Sequence, residues 1–380
     1  MGPLQGLKII EMAGIGPGPM CAMLLAELGA TVLRIERKEP SGLGIKRPRK
    51  YDLLLRSRPA IAVDLKSAEG VALVKRLIEV SDGLIEGFRP KVMERLGLGP
   101  DVALALNPRL VFGRITGWGQ DGPLSQVAGH DTNYIALTGA LNALGRAGQP
   151  PTVPLTVIGD FGGGALYLAV GMLAALIEAR SSGRGQVVDA AMLEGALSLL
   201  TVFYGLRAAG VWNDERGTNL TDSGSHFCEV YECADGKWVA LAAVEAKFYD
   251  ELLKRIGLDP ADVGPQMDPA NWPRAKEKFA AAFKRKTRDE WTELLGHTDT
   301  CFAPVLSWAE APHHPHIVAR RSIVEVDGVY QPAPAPRFSR TPLADPVAPR
   351  EPDARENGSI LSAWLETGEI ETFRANGAIS

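Results

Sequence analysis

The chain has 380 residues, 46% of them hydrophobic and 23% charged, which is enough apolar surface for a large buried core and for two domains rather than one. A formal net charge of −4 and a sequence pI near 6.0 exclude a general electrostatic attraction to nucleic acid or to an anionic membrane, so any anionic ligand must meet a local cluster of cations. The four cysteines, Cys21, Cys228, Cys233 and Cys301, are too scattered for a disulfide framework and fit a reducing cytoplasm; no histidine pair stands near them at zinc spacing, and no metal is expected.

The chain opens on Gly6-Leu7-Lys8-Ile9-Ile10-Glu11, without the basic, apolar and small-residue order of a secretory leader. Leu7 to Ala13 reads as a strand, and Pro17 to Leu28 as a helix with proline near its start and Gly29 after its end. A strand at Thr31 to Arg37, a helix at Glu69 to Ser81, a strand at Gly83 to Gly87, a helix at Lys91 to Leu96 and a strand at Arg109 to Thr116 continue the alternation. This is the pattern of a parallel α/β sheet.

An apolar, glycine-bearing helix follows from Phe161 to about Arg180; it is marginal in length for a membrane span and reads as a core helix. A further long helix follows Gln186 to Asp189 and runs to about Ala209, and the polar stretch Asn213 to Gly224 reads as a connector. Phe227 to Cys233, the turn Ala234-Asp235-Gly236 and Lys237 to Val244 form a β-hairpin that opens a second domain. Helices at Lys247 to Ile256, Pro273 to Phe283 and Arg288 to Leu295 complete that domain near Trp308. The proline-rich segment from Gln331 to Pro352 is expected to run extended, and a helix at Ile360 to Glu369 to close the chain. The expected layout is a large Rossmann-like parallel-sheet domain (1–190), a linker (191–225), a small α+β domain (226–310) and a returning tail (311–380) packed on the large domain.

Several segments carry chemistry. Gly14-Ile15-Gly16-Pro17-Gly18-Pro19 stands between a strand and a helix, in a phosphate-loop position, but its prolines remove N–H donors that a pyrophosphate needs, so it does not read as a dinucleotide fingerprint, and a tight strand-to-helix turn is the alternative. Arg37, Lys66, Arg89 and Arg95 all follow strands, and ligands of parallel α/β sheets collect beyond the C-terminal strand ends, so these cations suit an adenine and its phosphates. In Gly129-His130-Asp131 the imidazole can exchange a proton near neutral pH. In Gly159-Asp160-Phe161-Gly162-Gly163-Gly164 the aspartate either caps a helix or lies beside bare N–H groups and a positive dipole end that would stabilise negative charge on a substrate oxygen, an enolate site in outline. Glu245, between a strand and a helix, occupies a cap position.

Together, these segments resemble the family III CoA-transferase and α-methylacyl-CoA racemase family. The likeness rests on Gly6 to Glu11, Leu28-Gly29-Ala30-Thr31-Val32-Leu33-Arg34-Ile35-Glu36, Asp64-Leu65-Lys66, Gly117-Trp118-Gly119-Gln120-Asp121-Gly122-Pro123, Gly159-Asp160 and Gly185-Gln186-Val187-Val188-Asp189-Ala190-Ala191-Met192. The resemblance implies an interlocked homodimer with each active site shared between subunits, and an acyl-CoA substrate contacted by Arg37, Leu65, Lys66 and Arg95. It implies no separate cofactor, because CoA is part of the substrate. Asp160 matches the aspartate that the transferases use as a nucleophile to form an acyl anhydride, whereas His130-Asp131 matches the racemase branch, and Glu245 matches a small-domain glutamate that orients that histidine across the interface. Residues 38 to 55 depart from the family pattern in being longer and more basic.

The activity these residues imply is interconversion of (2R)- and (2S)-2-methylacyl-CoA thioesters by 1,1-proton transfer through an enolate. Racemisation needs proton carriers on opposite faces of a planar intermediate; neutral His130 would take the proton of the 2S isomer while protonated Asp160 delivers one to the other face. That requires an Asp160 buried enough to be an acid near neutrality. Enolate charge would meet N–H donors near the glycine run, and the acyl tail an apolar surface around Met192. Two alternatives are a family III CoA-transferase with Asp160 as nucleophile and a non-catalytic acyl-CoA binding protein. The C-terminal Gly377-Ala378-Ile379-Ser380 carries no peroxisomal address, in keeping with a cytoplasmic location.

Overall fold

A computed structural model describes residues 2–39 and 42–379. Met1, Pro40 and Ser41, the last two within the basic 38–55 stretch, and the terminal Ser380 lie outside the described residues. The chain forms two compact units. The first comprises Met1–Thr138, Leu155–Leu199 and Arg320–Ser380, and the second Gly139–Pro154 and Leu200–Ala319.

The first unit is built on a parallel sheet of β1 (Lys8–Met12), β2 (Thr31–Glu36), β3 (Ala60–Ala62), β4 (Gly83–Glu86), β5 (Val111–Thr116) and β6 (Val187–Ala191), in the order β3-β2-β1-β4-β5-β6. The expected α/β class with a parallel sheet is therefore what the chain adopts. Both faces are covered, as nearly continuous apolar strands require. Side chains alternate across the sheet: Ile10, Leu84 and Phe112 meet the helix Ala68–Glu79 and the C-terminal Leu361, Trp364 and Ile370. Ile9, Ile85 and Val111 face the helices Pro17–Glu27 and Tyr167–Ser182.

The long apolar helix buries Leu168, Met172, Leu176 and Ala179 in that second layer. Together with the coil before it, Val157–Ser182 is the one helical span among the described residues long and apolar enough to cross a bilayer, and its inward face is core. A hairpin, β10 (Ile323–Val326) and β11 (Val329–Pro332), turns through Asp327 and Gly328, both at positive φ. The expected extended run from Gln331 thus begins inside a hairpin, because Asp-Gly supplies the turn that pairs the strands. The expected C-terminal helix is two, Asn357–Leu361 and Thr367–Ala375. The chain breaks between them, where Trp364 and Leu365 turn into the core.

In the second unit β7 (Cys228–Glu232), β8 (Trp238–Ala242) and β9 (Phe302–Pro304) form an antiparallel sheet. Alternate residues of the hairpin, Tyr231, Val239 and Leu241, pack with Leu252, Phe279, Phe283 and Trp291 from the helices Ala246–Ile256, Trp272–Phe283 and Arg288–Leu295.

Candidate active site

The strand order reverses between β1 and β4, and the crevice beyond their C-terminal ends is where ligands settle in such sheets. The glycine run follows β1 directly. It is anchored from below: Glu11, fully buried, takes hydrogen bonds from Arg34 and from Arg58 (Nε to Oε2, 2.6 Å). Arg34 also donates to the carbonyl of Gly14 at 3.2 Å, and Arg58 to that of Pro19 at 3.1 Å. Burial alone would raise the Glu11 carboxyl, but Arg58 and Arg34 outweigh it and hold it below the ordinary carboxylate range. After β4, Arg114 binds Glu86 at 2.7 Å and Glu94 at 2.9 Å, while the Glu86 carboxylate takes the N–H of Phe88 at 2.7 Å. The segment carrying Arg89 and Arg95 is thereby tied to β5.

After β5 the chain turns through Gly117, where any Cβ would fall 2.0 Å from the Tyr134 ring. Trp118 meets Tyr134 edge to face with centroids 4.8 Å apart, and the Tyr134 hydroxyl donates to the carbonyl of Gly129. This packing fixes the turn into the helix Asp131–Ala136. His130 is the residue before that helix, and its backbone N–H donates to Asn133 Oδ1 at 3.0 Å, so its exposed imidazole projects from a capped, rigid turn.

Asp160 does not cap a helix, as its place in the sequence suggested. It lies inside a ten-residue π-helical stretch, Val157–Leu166, the kind of widened coil found at functional sites. The neighbouring glycines serve close packing: a Cβ at Gly163 would lie 2.5 Å from the backbone nitrogen of Ala196, and one at Gly164 2.8 Å from Met192 Cγ, both on the helix Met192–Leu199. The coil is held on its other side by Asp131. Buried Asp131 Oδ2 accepts the N–H of Gly159 at 2.6 Å and that of Asp160 at 2.7 Å.

The half-buried Asp160 carboxyl is pushed up to about 6, first by burial and then by the charge of Asp131, with His130 pulling in the opposite direction. His130 and Asp160 are thus within electrostatic reach of one another. The glycine run closes the third side, since a Cβ at Gly16 would stand 3.2 Å from Asp160 Oδ2. Tyr134 is raised to about 12, chiefly by burial and next by Asp160, with Arg89 opposing. It stays a neutral hydroxyl beside the pair.

Among the expected CoA contacts, Arg37, Lys66 and Arg95 are exposed, and Leu65 is partly buried against the core. All belong to segments that follow β2, β3 and β4, on the edge of the sheet that also bears the glycine run. Glu245 belongs to the second unit, exposed, at the N-cap of Ala246–Ile256, where its carbonyl rather than its carboxylate takes the helix N–H groups. Among the described residues no three His, Cys, Asp or Glu side chains converge as a metal centre needs. The side-chain role of Asp131, the Glu11 network and the Trp118–Tyr134 contact escaped the sequence reading. Asp131 stood next to the chosen histidine, and only its long-range partners distinguish it.

The model of CoA-transferase family III matches residues 4–354. The chain is 41% identical over 376 residues to human alpha-methylacyl-CoA racemase (98% of this chain, 96% of the relative), and 42% identical over 355 residues to its Mus musculus counterpart (93% and 91%). It is also similar, at 30% identity over 365 residues (90% and 89%), to succinyl-CoA–D-citramalate CoA-transferase of Chloroflexus aurantiacus. The crystal structure of a CAIB/BAIF family protein from Brucella suis shares the fold with a TM-score of 0.81 at 24% identity, covering 96% of this chain and 100% of that one. The family match over most of the length, the racemases above 40% identity and the shared fold agree: this chain belongs to CoA-transferase family III.

Proposed function

We propose that the protein racemises 2-methylacyl-CoA thioesters at the α-carbon, moving one proton off and another on through an enolate, with His130 and Asp160 as the two carriers. The observation that carries this reading is the pairing itself: an Asp160 carboxyl raised to about 6 by burial and Asp131, coupled to an imidazole on a rigid turn. A transferase needs the aspartate ionised as a nucleophile; raising it favours an acid. The racemases at 41–42% identity support the same choice over the transferase at 30%.

In this reading His130 takes the proton of the 2S isomer and Asp160 protonates the opposite face, and the 2R isomer reverses the roles. Developing enolate charge meets backbone N–H groups near the glycine run, at the positive end of the helix Pro17–Glu27. Arg37, Leu65, Lys66 and Arg95 hold the CoA portion, which is part of the substrate, so no further cofactor is required. The acyl tail lies on the apolar surface around Met192.

The working form is a homodimer in the cytoplasm, with Glu245 of the partner subunit orienting His130. Large exposed apolar side chains support association, notably Ile177 (71% exposed) and Val170 (66%) in the first unit and Val202 in the second. Incubation with (2S)-2-methylacyl-CoA in deuterated water tests the reaction: label should enter the α-carbon as the 2R isomer accumulates. Transfer of CoA to an added carboxylate such as succinate, without label, would establish the transferase instead. Tight binding with neither outcome would leave an acyl-CoA binding protein.

A further inference from the structure

The chain between His130 and Asp160 leaves the first unit after Thr138 and re-enters it at Leu155, and the excursion Gly139–Pro154 belongs to the second unit. Its own closure is slight: the N–H of Thr152 donates to Leu144 at 2.9 Å, and that of Gln149 to Arg146 at 3.1 Å. Asn142 Nδ2 also donates to the carbonyl of Asp214 at 3.2 Å and Arg146 pairs with Glu229, and Arg216 adds the bonds that span the excursion. Its Nε donates to the carbonyl of Asn142 at 2.7 Å, its Nη2 to Asn142 Oδ1 at 3.0 Å, and its Nη1 to the carbonyl of Gln149 at 2.7 Å, so one guanidinium grips both arms.

The seat of Arg216 is built for the task. Asn213 to Gly224, a connector by sequence, is a tightly bonded turn in which buried Asn219 Nδ2 reaches Asp222 Oδ2 at 2.8 Å, and Asp222 accepts the N–H groups of Gly217, Asn219 and Gly224. Gly217, at positive φ, lies so close to the excursion that a Cβ would meet the nitrogen of Ala147 at 2.3 Å. Where the excursion returns, Leu155 is held at a φ of 59°, a conformation that a leucine keeps only under constraint.

We propose that Arg216 is a positioning residue for the proton-transfer pair, setting the spacing of His130 and Asp160 by closing the excursion that joins them. This rests on the racemase reading for its kinetics but not for its structural half. Displacement of a reacting group by about 1 Å costs on the order of 100-fold in rate.

Arg216→Ala and Arg216→Lys are compared with wild type in two measurements. Amide hydrogen exchange should quicken in 139–154 and also in 131–136 and 157–164, with the β7–β8 hairpin unchanged. Racemisation of 2-methylacyl-CoA should lose about tenfold or more in kcat with KM within about twofold, and added guanidinium should restore part of it in Arg216→Ala alone. Faster exchange confined to 139–154, or an unchanged kcat, overturns the proposal. If the alanine variant does not fold, the lysine variant carries both measurements. Should wild type show no α-proton exchange, the racemase reading fails while the amide data still decide what Arg216 holds.

Discussion

The side chain of Asp131 accepts the backbone N–H of Asp160 at 2.7 Å, and that of Gly159 through the same oxygen at 2.6 Å. One carboxylate therefore both places the proposed acid and, after burial, adds by its charge to the rise of that acid to about 6. Asp131→Asn retains an acceptor oxygen and removes the charge. The expected pH profile of kcat/KM is a bell, because the active form is the pair carrying one proton, and its Asp160 limb lies near 6. With the charge removed, that limb should move to lower pH. The displacement must be equal for both stereoisomers, since each is consumed by one tautomer of the same once-protonated pair. A limb that stays in place would show that Asp131 acts through geometry alone.

Removing either carrier should leave half of the chemistry. His130→Gln and Asp160→Asn are each expected to lose racemisation by about 100- to 10,000-fold. Asp160→Asn should still exchange the α-proton of the 2S isomer with deuterated water, and His130→Gln that of the 2R isomer. Equal exchange of both isomers by either variant would exclude a two-sided mechanism.

The network under the glycine run should dominate local stability. Arg58 and Glu11 are wholly buried against each other; removing Arg58 leaves Glu11 with Arg34 as its remaining partner, so the cost is that of lost buried charge-assisted hydrogen bonds, about 1–3 kcal/mol. Arg58→Ala is expected to lower the urea midpoint accordingly and to cut activity, because the Pro19 carbonyl loses its donor. A loss below about 1 kcal/mol would place the pair among the marginal ones.

The second unit carries a pH dependence of its own. His226 is fully buried, with Nε2 at 2.6 Å from the Tyr249 hydroxyl, packed on Phe227 and Phe279, and burial followed by the charge of Lys276 lowers it to about 4. Its ordinary value is 6.5, so between those values the unfolded chain binds the extra proton. Stability is then full above 6.5 and falls as pH drops toward 4, by about 2–3 kcal/mol. Urea midpoints measured from pH 7.5 to 4.5 should decline in wild type and flatten in His226→Gln. Parallel declines would assign the acid sensitivity to other groups.

The alternating α/β frame was legible because β1, β2, β4 and β5 are apolar runs bounded by glycine or polar turns, and because Pro17 and Gly29 mark a helix at both ends. β3 was missed: three residues after Pro59 hold too little pattern to stand out. The Asp327-Gly328 turn was readable but was eclipsed by the prolines that follow it. The family motifs pointed to His130 and Asp160. Nothing local to Asp160 announces a π-helical coil, since that geometry is imposed by Asp131, 29 residues away, and by the glycine contacts with the next helix. The same holds for Arg216, whose partners lie 67 and 74 residues upstream.

The coil that bears Asp160 rests on Met192–Leu199 through bare main chain: a Cβ on Gly195 would stand 1.8 Å from the carbonyl oxygen of Gly163. At that point the two backbones meet directly, while Met192 and Leu199 pack their side chains on the same coil at Gly164 and Gly162. Leu166, exposed at the margin of the coil, can therefore vary without entering the backbone seam, whereas a single methyl group added at Gly163 or Gly195 would unseat the acid.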